Sequence, residues 1–430
     1  MTATVPRSAS LPKKLRLEGL FKRLGPGLIT GAADDDPSGI ATYSQAGAKH
    51  GVNMLWTMVL TLPLMVAVQS ISARIGRVTG HGLAANMADV FPRPVVVVLV
   101  ALLFIANTIN IGADLAAMGA AAALVAGGGQ HLFTLAFAIG SLLAVVLLPY
   151  HRYVGVLKWL TLSLFAYVGV VFAVKIDWAQ VAQGAVAPRF ELDGESMMLI
   201  VAIFGTTISP YLFFWQSSQE VEDEEADPDA APLLDKPEQA PRELSRISWD
   251  TWAGMGLSNL VAFFVMLTAA VTLHAAGKTD IQTSAEAAAA LKPIAGDAAF
   301  FLFSLGIVGT GLLAVPVLAG SAAYAIGEAR GWRVGLERPP GQARHFYFII
   351  GLAILVGLAV GFSPLDPFKA LVWSAVVNGV ITVPVMAAMM VVAGRQSVMG
   401  QFTATPLQRL FGWLTTALMA AAAIAMFATM

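Results

Sequence analysis

The aspartate run Asp34-Asp35-Asp36 stands directly before Pro37-Ser38-Gly39 in this sequence of 430 residues. It lies inside an otherwise apolar stretch, residues 24–48, that is long enough to span a bilayer. A charged side chain at membrane depth costs at least about 2.5–3.5 kcal/mol. Broken backbone is tolerated there only where it is buried in protein or lines a cavity. Carboxylates beside a helix break therefore indicate a cation site in a transporter.

The three aspartates are expected to have different roles, because consecutive helical residues project about 100° apart. Asp36 precedes Pro37, which is the pattern of an N-cap before a proline at the first helical position. A capping role alone is the alternative for Asp36, but it leaves a break at mid-membrane unexplained. We expect Asp36 to face the ion, and Asp34 and Asp35 to point into an aqueous vestibule that concentrates cations.

A second break is predicted at Gly205–Tyr211, where Pro210 follows small polar residues. An ordinary proline kink is the alternative. The two interrupted segments occupy corresponding positions if the first ten helices form two repeats of five. Such paired interruptions are the best sequence pointer to the binding site of a secondary transporter.

A polar stripe runs along a third apolar segment, where Asn107, Asn110 and Asp114 have the spacing i, i+3 and i+7. We interpret it as a set of interhelical hydrogen bonds, with a cavity-lining role as the alternative. All six histidines lie in loops or near segment ends. The deep acids, Asp34 to Asp36 and Asp114, thus have no evident basic counter-charge, which favours a cationic ligand.

The composition is that of a membrane protein, with 57% hydrophobic and 12% charged residues, whereas soluble domains average about 25% charged. The net charge of −1 argues against a nucleic acid partner. The absence of cysteine excludes disulfides and thiolate metal sites. No nucleophile–base set is visible, so an enzyme is not expected.

Apolar segments of about 18 residues or more predict transmembrane helices, and the sequence contains eleven of them. The predicted fold class is therefore an all-α membrane protein. The segments are 24–48, 52–73, 95–126, 132–150, 153–175, 196–217, 248–274, 296–327, 345–362, 367–393 and 408–429.

The orientation follows from the charges between the segments. With the N-terminus inside, most of the 26 lysines and arginines lie in cytosolic loops, as the positive-inside rule requires. We expect a multi-pass protein of the plasma (inner) membrane, with a cytoplasmic tail over residues 1–23, a transporter domain over 24–429 and an extracytoplasmic C-terminus. Residues 219–246, which are acidic and Pro-rich, are interpreted as a solvated flexible cytosolic linker. A weak regulatory cation site in that linker is the alternative.

Three stretches resemble a known family. Gly25 to Thr30, Asp36-Pro37-Ser38-Gly39 and Ala41 to Ala48 resemble the first helix of Nramp divalent-metal transporters, where the break reads Asp-Pro-Gly-Asn. Ala113 to Ala116 is similar to the third-helix stretch Thr-Asp-Leu-Ala-Glu, and Ser209 to Leu212 stands where the family has Met-Pro-His-Asn. The resemblance implies a LeuT-like five-plus-five inverted repeat, about 24–175 and 196–393, with broken helices 1 and 6 and an extra helix at about 408–429.

The departures from the family pattern concern the metal. Gly39 stands in place of the metal-binding Asn, Ser209 in place of the metal-binding Met, Tyr211 in place of the His, and Ala117 in place of the third-helix acid. This set is similar to the Nramp-related magnesium transporter branch. A thioether favours transition metals over Mg²⁺ and Ca²⁺, so its replacement leaves an all-oxygen site. Mg²⁺ dehydrates reluctantly and usually keeps several waters.

The resemblance also implies a set of metal-site residues. Asp36 would bind the metal, and the backbone carbonyls of Ala33 and Thr206 would complete the site. Gly39 and Ser209 would shape it, with the Ser209 hydroxyl as a candidate ligand, and Asn378 would add a polar contact. No cofactor is expected beyond the transported ion. The expected partners are a divalent metal ion and the lipid bilayer, and the oligomeric state is left open.

The expected function is uptake of a partly hydrated divalent cation, Mg²⁺ first and Mn²⁺ second. Weak or absent proton coupling is expected, because Tyr211 and Ala117 replace the His and Glu of the family's proton route. The membrane potential alone supplies about 4.6 kcal/mol per 100 mV for a divalent ion. The alternatives are a proton-coupled Mn²⁺/Fe²⁺ symporter of ordinary Nramp type and a Na⁺-coupled organic-solute symporter on the same scaffold.

Overall fold

The computed structural model describes residues 26–148, 162–189 and 192–430, and the regular structure in these ranges is helical. A π-helical turn, Ala270–His274, extends the eleventh helix. In chain order the helices are α1 Pro26–Asp34, α2 Pro37–His50, α3 Trp56–Thr79, α4 Leu83–Val90, α5 Arg93–Ala126, α6 Gln130–Leu147, α7 Phe165–Ala173, α8 Trp178–Val186, α9 Gly194–Thr207, α10 Pro210–Ala226, α11 Ala240–Ala269, α12 Ser284–Ala288, α13 Lys292–Ala295, α14 Ala299–Ala329, α15 Arg344–Gly361, α16 Pro367–Gly394, α17 Gln396–Met399 and α18 Pro406–Thr429.

Within the described ranges, nine helical segments are long and apolar enough to cross a membrane. They correspond to nine of the predicted segments, with α9 and α10 counted together. The first predicted segment is divided between α1 and α2, each shorter than a full span. The predicted fifth segment, 153–175, lies partly outside the described residues, and its end forms α7. The predicted tail, residues 1–23, lies wholly outside them.

Both broken segments lie in the interior of the bundle. α1 and α2 pack along α11, α9 packs along α16, and α10 packs against α3 and α14. Glycines bring these helices close together, as small residues do in membrane proteins. A Cβ added at Gly205 of α9 would lie 2.0 Å from the carbonyl oxygen of Ala375 in α16, so the two backbones touch there.

The predicted linker 219–246 is largely helical. α10 continues through Ala226 and α11 begins at Ala240, so that only residues 227–239 lie between the two helices. The flexible-linker interpretation is therefore wrong for residues 219–226 and 240–246. Several of the acids in this region, such as Glu220, are buried between helices rather than exposed to solvent.

Two arginines explain why the acidic end of α10 folds. Arg77 of α3 is buried and donates to Glu224 of α10 at 2.9 Å and to the carbonyl oxygen of Ala231 at 2.6 Å. Arg246 of α11 pairs with Glu220, which is also buried. Buried charges are tolerated when they are paired and hydrogen-bonded. These pairs hold α3, α10 and α11 together at one end of the bundle.

Candidate cation site

The first break separates α1 from α2 at Asp36. The backbone of Asp36 is extended, with φ −73° and ψ 169°, and its Oδ1 accepts a hydrogen bond from the Gly39 amide at 2.8 Å. Pro37 follows at the first helical position, where its missing N–H is not needed. The predicted N-cap is thus confirmed.

The carboxylate of Asp36 does more than cap a helix. Oδ1 also accepts from the Ser38 hydroxyl at 2.6 Å, and Oδ2 accepts from the Asn110 side-chain amide of α5 at 2.8 Å. The side chain is only 1% exposed, and these donors are all neutral. Because a buried carboxylate is costly unless a positive charge compensates it, this environment suits a bound cation.

The second break separates α9 from α10 at Ile208 and Ser209. Ser209 is extended, with φ −83° and ψ 138°, and precedes Pro210, but its side chain makes no capping bond. Its hydroxyl instead lies 2.7 Å from the carbonyl oxygen of Gly205 and 3.0 Å from that of Thr206. The predicted interruption is therefore a true break rather than a proline kink.

Side chains from the two breaks are in contact. Ser38 Oγ lies 3.3 Å from Thr206 Oγ1, and since the Ser38 proton goes to Asp36, the Thr206 hydroxyl is the donor. The hydroxyl of Tyr211, the second residue of α10, donates to the carbonyl oxygen of Ala33 in the last turn of α1 at 3.1 Å. Both carbonyls that were predicted to bind the metal, those of Ala33 and Thr206, therefore already accept a hydrogen bond from a hydroxyl group.

Gly39 lies between the carboxylate and the second break. A Cβ added there would be 3.2 Å from Thr206 Oγ1, 3.2 Å from Tyr43 Cε2 and 3.7 Å from Asp36 Oδ1. Any side chain at this position would therefore enter the space between Asp36 and Thr206. Glycine is therefore the residue that fits here without displacing Thr206 or Tyr43.

Asn378 of α16 lies beside the second break. Its backbone carbonyl accepts from the Thr382 hydroxyl at 2.7 Å, and the same hydroxyl lies 3.1 Å from the carbonyl oxygen of Ile208. The Asn378 side chain is buried, and neither its Oδ1 nor its Nδ2 has a hydrogen-bond partner within the described part of the chain. It is thus available to a ligand but makes no hydrogen bond to the other predicted site residues.

The three residues of the polar stripe on α5 make different contacts. Asn107 donates to the Leu318 carbonyl and to Ser321 of α14, both at 2.8 Å. Asn110 donates to Asp36, so it is a site residue that the sequence suggested only as one member of a stripe. The carboxylate oxygens of Asp114 are buried and accept no hydrogen bond from any residue that the structure describes. The hydrogen-bond interpretation holds for the two asparagines and not for Asp114.

Asp34 and Asp35 do not form an aqueous vestibule. Their side chains are 1% and 9% exposed, and both accept from the single hydroxyl of Ser258 in α11, at 2.6 and 3.0 Å. The vestibule prediction was wrong because α11 packs along α1 and covers this turn.

The donor set of the site contains oxygen and no sulfur. No group of three or more His, Cys, Asp or Glu side chains that could hold a metal occurs in residues 26–148, 162–189 and 192–430. One carboxylate, hydroxyls and backbone carbonyls suit hard cations rather than soft ones. Asp36, Thr206 and Ser209 are buried, so the site is closed to the surface in this conformation.

Long apolar helices, two of them broken around one buried carboxylate, define a multi-pass membrane transporter. The profile of the Nramp family, described as natural resistance-associated macrophage protein-like, matches residues 27–429. The chain therefore belongs to the Nramp family.

Curated relatives and solved structures agree with this assignment. The chain is 26% identical over 406 residues to the divalent metal cation transporter MntH of Klebsiella pneumoniae (strain 342), covering 92% of this chain and 91% of the relative. It is 27% identical over 401 residues to MntH of Yersinia pestis (strain Pestoides F), covering 91% of each.

Two solved structures share the fold. The Eremococcus coleocola manganese transporter has a TM-score of 0.72 and 16% identity, covering 98% of this chain and 88% of its own. Mhp1, a nucleobase-cation-symport-1 family transporter, has a TM-score of 0.53 and 12% identity, covering 94% of this chain and 92% of its own.

Proposed function

We propose that this protein is a divalent metal cation transporter, not an enzyme, and that it carries Mg²⁺ first and Mn²⁺ second as partly hydrated ions. Family membership and the curated MntH relatives support the class of substrate. The observation that carries the choice of metal is the set of candidate ligands at the two breaks, which are all oxygen atoms, without a thioether. Soft ligands help to select transition metals, whereas oxygen ligands suit Mg²⁺.

The proposed ligands come from both breaks. Asp36 supplies the charge, the carbonyls of Ala33 and Thr206 supply neutral oxygens, and Ser209 supplies a hydroxyl. Mg²⁺ requires near-octahedral geometry and usually keeps several of its waters. Gly39 supports this assignment because it brings no side chain against Asp36 and Thr206. The amide of Asn378, which has no hydrogen-bond partner among the described residues, would bond to one of the retained waters.

The proposed architecture has eleven helices, ten of them in two inverted repeats of five. The first repeat would run from α1 to α7 and the second from α9 to α16, with α18 as the extra helix. The corresponding positions of the two breaks support this division. The charge distribution supports a cytoplasmic N-terminus in the plasma membrane.

The proposed transport is driven by the membrane potential, with weak or no proton coupling. The hydroxyl of Tyr211 is bonded to the Ala33 carbonyl, and Ala117 carries no titratable group. The buried and unpartnered carboxylate of Asp114 favours the alternative, a proton-coupled symporter. A pH-sensitive dye inside proteoliposomes separates the two, because acidification that tracks metal entry would contradict uncoupled transport.

The central experiment is Mg²⁺ and Mn²⁺ uptake into proteoliposomes by wild type and Asp36→Ala. We expect a loss of at least about 30-fold, because removing one partner of a buried charge pair costs about 2–5 kcal/mol. Asp366 provides a matched control, since it also caps a helix directly before a proline and accepts from the Phe368 amide.

The control separates ion binding from helix capping. Asp366→Ala removes a cap of the same kind at the start of α16 and should retain Mg²⁺ uptake close to that of wild type. Full uptake by Asp36→Ala would overturn the assignment of the site. Equal losses in the two variants would mean that capping, and not ion binding, is the function of Asp36.

A further inference from the structure

The hydrogen bonds around Asp36 leave its two oxygens unequal. An ionised carboxylate offers about four acceptor positions, two on each oxygen. On Oδ1 both positions are filled, by the Ser38 hydroxyl at 2.6 Å and the Gly39 amide at 2.8 Å. On Oδ2 one position is filled, by Asn110 at 2.8 Å. A single acceptor position, on Oδ2, is therefore left.

The Ser38 hydroxyl is held in the orientation that fills Oδ1. Ser38 donates its one proton to Asp36 Oδ1 at 2.6 Å, and Thr206 Oγ1, 3.3 Å from Ser38 Oγ across the two breaks, is then the donor to Ser38. Both serine and threonine are buried, so that water does not compete for these bonds. The second break thus fixes a donor at the first.

The Asn110 amide is fixed in a similar way. A carboxylate cannot donate, so the amide nitrogen faces Asp36 and the amide oxygen faces Ser374 of α16. Ser374 Oγ lies 2.7 Å from Asn110 Oδ1, which accepts from it, and 2.7 Å from the Leu371 carbonyl oxygen. Asn110 therefore prevents the carboxylate from turning its other oxygen toward the ion.

We infer that Ser38 is a specificity-determining positioning residue, which restricts Asp36 to binding the transported ion through one oxygen. This inference rests on the proposed function, in which Asp36 holds a hard divalent cation. A chelating carboxylate needs a free position on each oxygen, and Oδ1 has none while both the Ser38 hydroxyl and the Gly39 amide donate to it. Without the Ser38 hydroxyl, Oδ1 would have one free position, because the Gly39 amide fills only one and Asn110 bonds to Oδ2.

The excluded ion is Ca²⁺. Ca²⁺ takes 6–8 oxygen ligands in flexible geometry and often binds a carboxylate through both oxygens, whereas Mg²⁺ keeps octahedral geometry and its waters. A carboxylate that binds through only one oxygen therefore suits Mg²⁺. It offers Ca²⁺ one ligand fewer than a chelating carboxylate would. Ser38 thus selects between two oxygen-seeking ions, which the absence of a thioether alone does not do.

The test is competition between Ca²⁺ and Mg²⁺ in proteoliposomes for wild type and Ser38→Ala. We expect the ratio of the KM for Ca²⁺ to the KM for Mg²⁺ to fall by about tenfold, the change that one hydrogen bond to a charged group produces. Ser44 provides the matched control. It is also buried in α2, and its hydroxyl has no hydrogen-bond partner among the residues described, so Ser44→Ala should leave the ratio unchanged.

Two further variants make the outcome decisive. Thr206→Val keeps the shape but removes the donor to Ser38, and it should shift the ratio in the same direction by a smaller factor. Ser38→Thr keeps the hydroxyl and should retain the wild-type ratio. If Ser38→Ala transports too slowly, thermal stabilisation of the purified protein by CaCl₂ against MgCl₂ gives the same comparison.

An unchanged ratio in Ser38→Ala, or the same change in Ser44→Ala, would overturn the inference. That result would leave the proposed function intact as long as Asp36→Ala abolishes uptake. Undiminished uptake by Asp36→Ala would instead remove both.

Discussion

At the first break the side chain of Asp36 points forward and caps α2, whereas at the second break the hydroxyl of Ser209 points back to the carbonyls of α9. Both residues have extended backbones and precede a proline. An extended residue before a proline is therefore common to both breaks. The side chain of that residue decides whether the amides of the following helix or the carbonyls of the preceding helix receive a hydrogen bond.

Asp36 and Ser209 therefore contribute different groups to the candidate site. Asp36 satisfies an amide of α2 and brings the negative charge, while Ser209 satisfies carbonyls of α9 and brings none. In the proposed site, the negative charge therefore comes from the first break, and neutral oxygens come from both. If this division is correct, exchanging features between the breaks should have unequal effects.

The largest effect is expected from Asp36→Ser, which gives the first break the residue of the second. Serine caps helices nearly as well as aspartate, so the fold should be retained. Mg²⁺ uptake should fall by at least about 30-fold, because the buried charge is lost. Proteoliposome flux and the melting temperature of the purified variant check both parts. Retained uptake would mean that charge is not what distinguishes the breaks.

The next effect is expected from Gly39→Asn, which restores the residue that the family has at this position. The new side chain would enter the space between Asp36 and Thr206, since a Cβ there already lies 3.2 Å from Thr206 Oγ1. We expect the KM for Mg²⁺ to rise by about tenfold, because a tight contact costs about 1–3 kcal/mol, and Mn²⁺ to be affected less. The smaller effect on Mn²⁺ is expected because the resemblance makes the family's Asn at this position a metal ligand. An equal loss for both metals in an uptake assay would contradict a role of position 39 in metal selection.

A smaller effect is expected from Ser209→Met, which places a thioether at the second break. The preference for Mn²⁺ over Mg²⁺ should rise by a few fold, about 3-fold to 10-fold, because a soft ligand favours transition metals. Competition uptake of the two metals measures it. Ser217→Ala is the control, since that serine lies eight residues further along, within α10, and accepts from the Leu83 amide instead.

The smallest effect is expected from Tyr211→Phe, which removes the bond from α10 to the Ala33 carbonyl. The loss of stability should be about 1 kcal/mol, the usual net contribution of one hydrogen bond, with Mg²⁺ uptake reduced by less than about 3-fold. Thermal melting and flux check these values. A large loss of uptake with unchanged melting would instead assign Tyr211 to transport chemistry.

The sequence was sufficient for features that depend on neighbouring residues. The two breaks, the cap at Asp36 and the missing side chain at Gly39 all follow from residues within a few positions of each other. The bond from Ser38 to Asp36 is equally local, and a serine two residues after an aspartate is a signal that could have revealed it.

Contacts between distant helices were beyond sequence reasoning. Asn110 bonds to Asp36 across 74 positions, and Ser258 covers Asp34 across 224. The acidic end of α10 has the composition of a linker, but it is helical in the structure. There Glu224 accepts a hydrogen bond from Arg77, which is 147 positions away in the sequence. In each case the partner is supplied by packing of helices, which composition and spacing do not encode.

The length of α10 has a mechanical consequence. This helix of 17 residues begins at the second break, and its acids pair with Arg77 and Arg246 toward its other end. It is a rod of about 25 Å, at 1.5 Å per residue. A tilt of about 10° around its first residue would carry its last turn about 4 Å, which is enough to separate those ion pairs. A small movement at Ser209 would therefore be transmitted along α10 to the ion pairs at the other end of the helix.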